Sequence, residues 1–132
     1  RFLEEAAMLH DIGIFMTNAP HIACQGQYPY ICHGYLGREL LTNEGYPKHG
    51  LVCERHTGTG LSLQTIIDRK LPIPHRDMQP VSMEEKIICF ADKFYSKSSL
   101  GKEKSIEKIR QSLSKHGKEQ VEKFDEWCEL FL

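Results

Sequence analysis

A chain of 132 residues that is 40% hydrophobic makes one globular domain, long enough to bury about two-thirds of the surface its unfolded form exposes. Its 17 basic and 18 acidic side chains leave a net charge of −1 and no basic stripe, and no apolar run approaches the roughly 18 residues of a membrane span, so neither nucleic acid nor a membrane is an expected partner. The five cysteines, Cys24, Cys32, Cys53, Cys89 and Cys128, are odd in number and lack a C-x-x-C spacing, which argues against a disulfide framework or zinc knuckle and for the reducing cytoplasm.

Helical spacing begins at once. Phe2 to Asp11 reads as a helix that Gly13 ends. Arg1-Phe2-Leu3 offers no N-cap, so the sequence is expected to be the N-terminally trimmed part of a longer chain. The stretch FMTNAPHIACQGQYP, with Pro20, Gly26 and Pro29, is a long turn-rich connection of the kind that forms a rim or lid. A second helix is predicted over 30–41 and stops at Asn43-Glu44-Gly45. A third spans 47–56 with Pro47 at its first position, and Ser62 caps a short fourth helix through Arg69. LPIPHRDMQP, with three prolines in ten residues, cannot be helical. Ser82 and Glu85 form a capping box for a fifth helix over 82–98, and helices over 105–115 and 119–131 close the chain. Alternation with period two is nearly absent. The fold class is therefore all-α, a compact bundle of about six to seven helices in a single domain 1–132, with 1–98 carrying the site and 99–132 a C-terminal scaffold.

Four apolar stripes carry polar residues. Leu3, Ala6 and Ala7 share a face with His10; Leu36, Gly37, Leu40 and Leu41 with His33; His49, Val52 and Cys53 with His56; and Ile88, Ala91 and Tyr95 with Asp92. Each stripe is expected to face the core. Alone, such a residue is ordinarily a hydrogen-bonded core group or a cap. Together, His10, His33 and His56 with Asp11 and Asp92 would be mutually unsatisfied in an apolar interior, where each unpaired polar group costs several kcal/mol. Two divalent cations would neutralise the carboxylates and give every imidazole a partner. Gly34 and Gly37, costly in a helix interior, would let another helix approach closely beside His33.

These residues carry a resemblance. LHDIG, followed in order by CHGYLGRELL, ERHTGTGLS and EEKIICFADKFYSKS, resembles the HD superfamily of metal-dependent phosphohydrolases in its HDIG-type branch, over residues 1–98. The resemblance implies His10 and Asp11 as metal ligands with Asp11 bridging two ions, Asp92 on the first ion, and His33 and His56 on the second. It also implies a further histidine ligand upstream of Arg1. The activity it implies is hydrolysis of a phosphate ester or anhydride by a metal-activated water, with Asp11 and Lys93 as catalytic residues. Ile14 stands where the cyclic-dinucleotide branch often has lysine. ERHTGTG has one histidine and no Gly-Tyr-Pro after it, since Gly45-Tyr46-Pro47 lies upstream of His56. Cyclic dinucleotides are disfavoured on those grounds.

A mixed imidazole and carboxylate set suits manganese, iron, nickel, cobalt or zinc better than calcium, with magnesium in range. The resemblance ranks manganese or iron first. Phosphate would be held by Lys93, directly after Asp92, by Arg55, directly before His56, and by Arg76 in the proline-rich segment. His21 and His49 are candidates for outer contacts, with the surface as their default. The expected partner is a nucleotide or other small phosphorylated metabolite. A non-catalytic, nucleotide-sensing regulatory domain is the alternative. The C-terminal apolar stripes could serve self-association into a homo-oligomer, but packing on the bundle is the expected use.

Overall fold

Three serines set helix starts by the same device. In the computed structural model, which describes residues 1–22, 24–95 and 101–132, the hydroxyls of Ser62, Ser82 and Ser105 accept from the backbone N–H groups of Thr65, Glu85 and Lys108. The described residues form seven α-helices: α1 Phe2–Leu9, α2 His33–Asn43, α3 Pro47–Glu54, α4 Leu63–Asp68, α5 Met83–Asp92, α6 Ile106–Ser114 and α7 Lys118–Phe131. The all-α class holds. Of the predicted tail of α5, residues 93–95 are turn and bridge rather than helix, and 96–98 lie outside the described residues.

Three helices end earlier than helical spacing predicts. α1 stops at Leu9, α3 at Glu54 and α5 at Asp92, and a 3₁₀ turn over Ile12–Met16 follows α1. The turn-rich connection holds a small antiparallel hairpin, β1 Asn18–Ala19 with β2 Cys24–Gln25, in the register Asn18 to Gln25 and Ala19 to Cys24. Strands of two residues are too short for alternation to register in the sequence.

Gly13 does not end α1 as a left-handed cap. It is needed for space: a Cβ there would sit 2.1 Å from the carbonyl oxygen of His33 and 2.6 Å from the amide nitrogen of Gly37. Gly34 serves the expected purpose, since a Cβ there would lie 2.9 Å from the carbonyl oxygen of Cys53 in α3. The Ile12–Met16 turn and α3 thus both rest on α2.

Three apolar clusters hold the elements. Cys89 and Phe90 of α5 pack with Ile109 and Leu113 of α6 and Phe124 and Trp127 of α7, the expected docking of the C-terminal helices on the bundle. Burying a side chain such as Phe124 contributes about 1.5–3 kcal/mol. Cys32, Leu36, Ile66, Ile73 and Met78 join α2, α4 and the proline-rich segment. The third cluster, Ala6, Val52 and Ile88, takes one residue each from α1, α3 and α5. Those are the helices whose C-terminal ends carry His10, His56 and Asp92.

Two stripes only partly face the core. Ala6 and Ile88 are buried, whereas Leu3, Ala7, Ala91 and Tyr95 are exposed. The exposed four, with Ile87, Ile88, His10 and Asp92, line an apolar groove of about 480 Å³ between α1 and α5.

Candidate metal centre

Each of the five residues named as ligands lies at or beyond a helix terminus. His10 and Asp11 follow α1, His33 opens α2, His56 lies two residues past α3, and Asp92 is the last residue of α5. Three helix C-termini therefore meet at one place. Their partial negative charge, set against the one positive N-terminus of α2, favours a cation there.

The three imidazoles are oriented alike. Nδ1 of His10 faces the carbonyl oxygen of Ala7 at 2.6 Å, Nδ1 of His33 that of Tyr30 at 2.8 Å, and Nδ1 of His56 that of Cys53 at 2.7 Å. A carbonyl oxygen only accepts, so in each ring Nδ1 carries a proton and Nε2 points inward. There the Nε2 atoms of His33 and His56 are 3.1 Å apart. Two lone pairs at that distance repel unless a proton or a metal ion lies between them.

Asp11 stands between the two halves of the group. Its Oδ2 is 3.1 Å from Nε2 of His10, while its Oδ1 is 3.1 Å from Nε2 of His56 and 3.5 Å from Nε2 of His33. Asp92 Oδ1 lies 3.1 Å from Nε2 of His10. Two overlapping ligand sets result, His10 with His56 and Asp92, and Asp11 with His33 and His56, the candidate ligand atoms of each lying within 4.8 Å of one another. Imidazole nitrogens and carboxylate oxygens converging at buried helix ends fit a divalent transition ion. The outward Nδ1 bonds are the second contacts that ordinarily orient metal-binding histidines.

Burial works against a charged His10 ring, but its hydrogen bonds to Asp11 and Asp92 and their charges outweigh it, and the ring is pushed up to about 10. Burial alone would raise Asp11, yet hydrogen bonds and charge from His10 and His56 hold its carboxyl well below the usual range. Asp92 is likewise held low against burial, by His10, Lys93 and His56. Two carboxylates stay ionised in an enclosed site.

The cations expected to hold phosphate are occupied within the protein. Lys93 Nζ donates to Asp92 Oδ2 at 3.1 Å and to the carbonyl oxygen of His56 at 3.0 Å. Arg55 pairs with Glu85 at 2.9 Å, and that carboxylate also accepts from the Val81 amide. Arg76 and Arg38 both bind Glu54, whose side chain is wholly buried. His49 pairs with Glu5 at 3.2 Å, and the side chain of His21 lies outside the described atoms. The structure thus groups His10, Asp11, His33, His56, Asp92 and Lys93, and it commits Arg55 and Arg76 to other carboxylates.

Sequence reading missed Glu54 and Gln120. Val52, Cys53 and Glu54 are buried consecutively, so α3 has no polar face at its C-terminal end to betray the carboxylate. Gln120 accepts from the amide of Thr59 at 2.7 Å and donates to the carbonyl oxygen of Gly60 at 2.7 Å, tying α7 to the loop after His56.

No family model matches the chain, and no solved structure matches it. Among curated proteins, an uncharacterised protein of Methanocaldococcus jannaschii is 36% identical over 86 residues, 64% of this chain and 43% of that protein. A tRNA (cytidine(56)-2′-O)-methyltransferase of Picrophilus torridus is 33% identical over 97 residues, 73% of this chain and 25% of that protein. The enzyme of the same name from Thermoplasma volcanium is 29% identical over 91 residues, 68% of this chain and 23% of that protein. The chain therefore spans less than half the length of these relatives.

Those names correct the expected function. Two relatives are transferases acting on tRNA, against the expectation of a phosphohydrolase, or a nucleotide-sensing domain, with a small phosphorylated partner. They equally correct the exclusion of nucleic acid. A net charge averages over the whole chain and says nothing of a local contact. No helix among the described residues is long and apolar enough to cross a membrane.

Proposed function

We propose that this chain is a divalent-metal-binding helical domain of the HD type, serving an RNA-directed reaction, the 2′-O-methylation of tRNA. The facing Nε2 atoms of His33 and His56 carry the metal half of this reading. The tRNA methyltransferases that share its sequence support the RNA half. Among the described residues the only sheet is a hairpin of two-residue strands, unlike the parallel sheets on which nucleotide-like cofactors commonly bind, so the part assigned to this chain is holding metal and RNA rather than binding the methyl donor.

His10, Asp92 and Asp11 would hold one ion and Asp11, His33 and His56 a second, manganese or iron by resemblance. Bound ions would supply positive charge against which an RNA phosphate can rest. The protein's own part is orientation: three carbonyl oxygens lock the imidazoles, and Lys93 occupies the outer oxygen of Asp92. The five free cysteines support a reducing, cytoplasmic setting.

The test is a titration of the chelator-treated intact protein with Mn²⁺, followed by binding of a tRNA transcript with and without the metal. The expected result is up to two ions per chain and tighter tRNA binding when they are present, both diminished in His56→Ala. Wild-type protein that takes up no more metal than His56→Ala would overturn the metal half, and tRNA affinity indifferent to metal would overturn the RNA half.

A further inference from the structure

His10, His56 and Asp92 meet from three helix ends, and one side chain ties two of those ends together. Lys93 Nζ spans from Asp92 Oδ2, 3.1 Å away, to the carbonyl oxygen of His56, 3.0 Å away. Its side chain is only 12% exposed, so the ammonium is held within the protein. With Oδ2 occupied, Asp92 turns the other oxygen, Oδ1, toward Nε2 of His10. One turn earlier, Cys89 donates its thiol proton to the same His56 carbonyl oxygen and to that of Gly58, so α5 grips the segment beyond α3 at two levels.

We infer that Lys93 is a positioning residue that restricts Asp92 to one metal-facing oxygen and sets its spacing from His56. This rests on the metal reading above. A lysine directly beside a cation site is paradoxical on charge alone, because its ammonium repels the ion. A bystander lysine should therefore weaken metal binding, and its removal should strengthen it. A positioning lysine predicts the opposite sign. Without it, Asp92 Oδ2 and the His56 carbonyl oxygen lose their common donor, and Asp92 can rotate out of register with His10 and His56. The sites should also respond unequally, since Asp92 belongs to one ligand set and not to the set of Asp11, His33 and His56.

The experiment titrates the intact protein with Mn²⁺ and counts free ion by electron paramagnetic resonance, for wild type, Lys93→Met and Lys93→Arg. Lys93→Met should weaken one of two equivalents by about 10–100-fold, the usual consequence of losing a partner that orients a ligand, and leave the other within about threefold. Lys93→Arg, which keeps charge and donors, should recover most of the loss. The inference is overturned if Lys93→Met binds Mn²⁺ as tightly as wild type or more tightly. It is equally overturned if both equivalents weaken together in step with a lower metal-free melting temperature. Should Lys93→Met not fold, Lys93→Gln carries the same expectation. Wild-type protein without bound Mn²⁺ would sink the metal reading and this inference with it, whereas normal wild-type binding with an unaffected variant would sink this one alone.

Discussion

Asp11 and Glu54 are both carboxylates set into a helical interior, and the two surroundings treat them in opposite ways. Glu54 receives the guanidinium groups of Arg38 and Arg76, donors that meet an acceptor. Its charge is answered by the protein, which makes it an internal clamp from α3 to α2 and the proline-rich segment. Asp11 instead faces three imidazoles whose Nδ1 protons are already given to carbonyl oxygens. In that group acceptors outnumber the guanidinium-like donors that answer Glu54, and cations or extra protons supply the balance. A buried carboxylate is therefore no sign of a functional site by itself. The hydrogen-bonding character of what surrounds it decides.

The sharpest test of this contrast is to remove each carboxylate. Glu54→Ala leaves two guanidinium groups without their partner, and breaking a buried pair costs about 3–5 kcal/mol. Arg38 and Arg76 are 33% and 42% exposed and can rehydrate, so a loss near the lower figure is expected in urea denaturation, with Mn²⁺ stoichiometry retained. Asp11→Asn should instead erase the stabilisation that metal confers. In wild type, free metal at 100 times its Kd raises stability by about 2.7 kcal/mol, and in the variant the melting temperature should no longer respond to metal. If Asp11→Asn kept that response while Glu54→Ala lost it, the comparison would be inverted.

A smaller effect is expected at Gln120. Gln120→Ala strands the buried amide of Thr59, a loss of about 1–3 kcal/mol readable by thermal denaturation, and it loosens the loop after His56. Mn²⁺ affinity should fall less than in Asp11→Asn.

The smallest expected effect is the pH dependence contributed by Glu85. Burial would raise its carboxyl, but the Val81 amide and Arg55 outweigh burial and hold it below the usual carboxylate value. A depressed carboxylate stabilises the fold above its unfolded pKa, and that contribution disappears as pH falls through the folded value. Wild type should therefore exceed Glu85→Gln in stability at neutral pH and converge with it in acid. A constant gap across the acid range would show that Glu85 does not titrate as described.

Much of the helical scaffold could be read from residue order. Capping serines at 62, 82 and 105 act locally, and the prolines of 71–80 forbid helix without reference to neighbours. Helix ends were less legible. α1 and α3 stop before His10 and His56, and each of those imidazoles takes a carbonyl oxygen three residues back, a choice that apolar spacing cannot register. Gly13 shows the same limit, since its lack of a side chain serves a contact with α2 that lies about 20 residues away in sequence. Arg55 and Arg76 have the right charge for an anion, but charge does not say which acid a guanidinium will meet.

By itself, the amino-acid sequence determined the all-α class and supplied three histidines and two aspartates on or beside apolar helical stripes, because periodicity and capping are local physics. Only tertiary structure decided that these five side chains share one enclosed place, that Lys93 points inward, and that Arg55 and Arg76 are committed elsewhere. Those outcomes depend on how α1, α3 and α5 are aligned by Ala6, Val52 and Ile88, and alignment between segments far apart in sequence is settled by packing rather than by residue order.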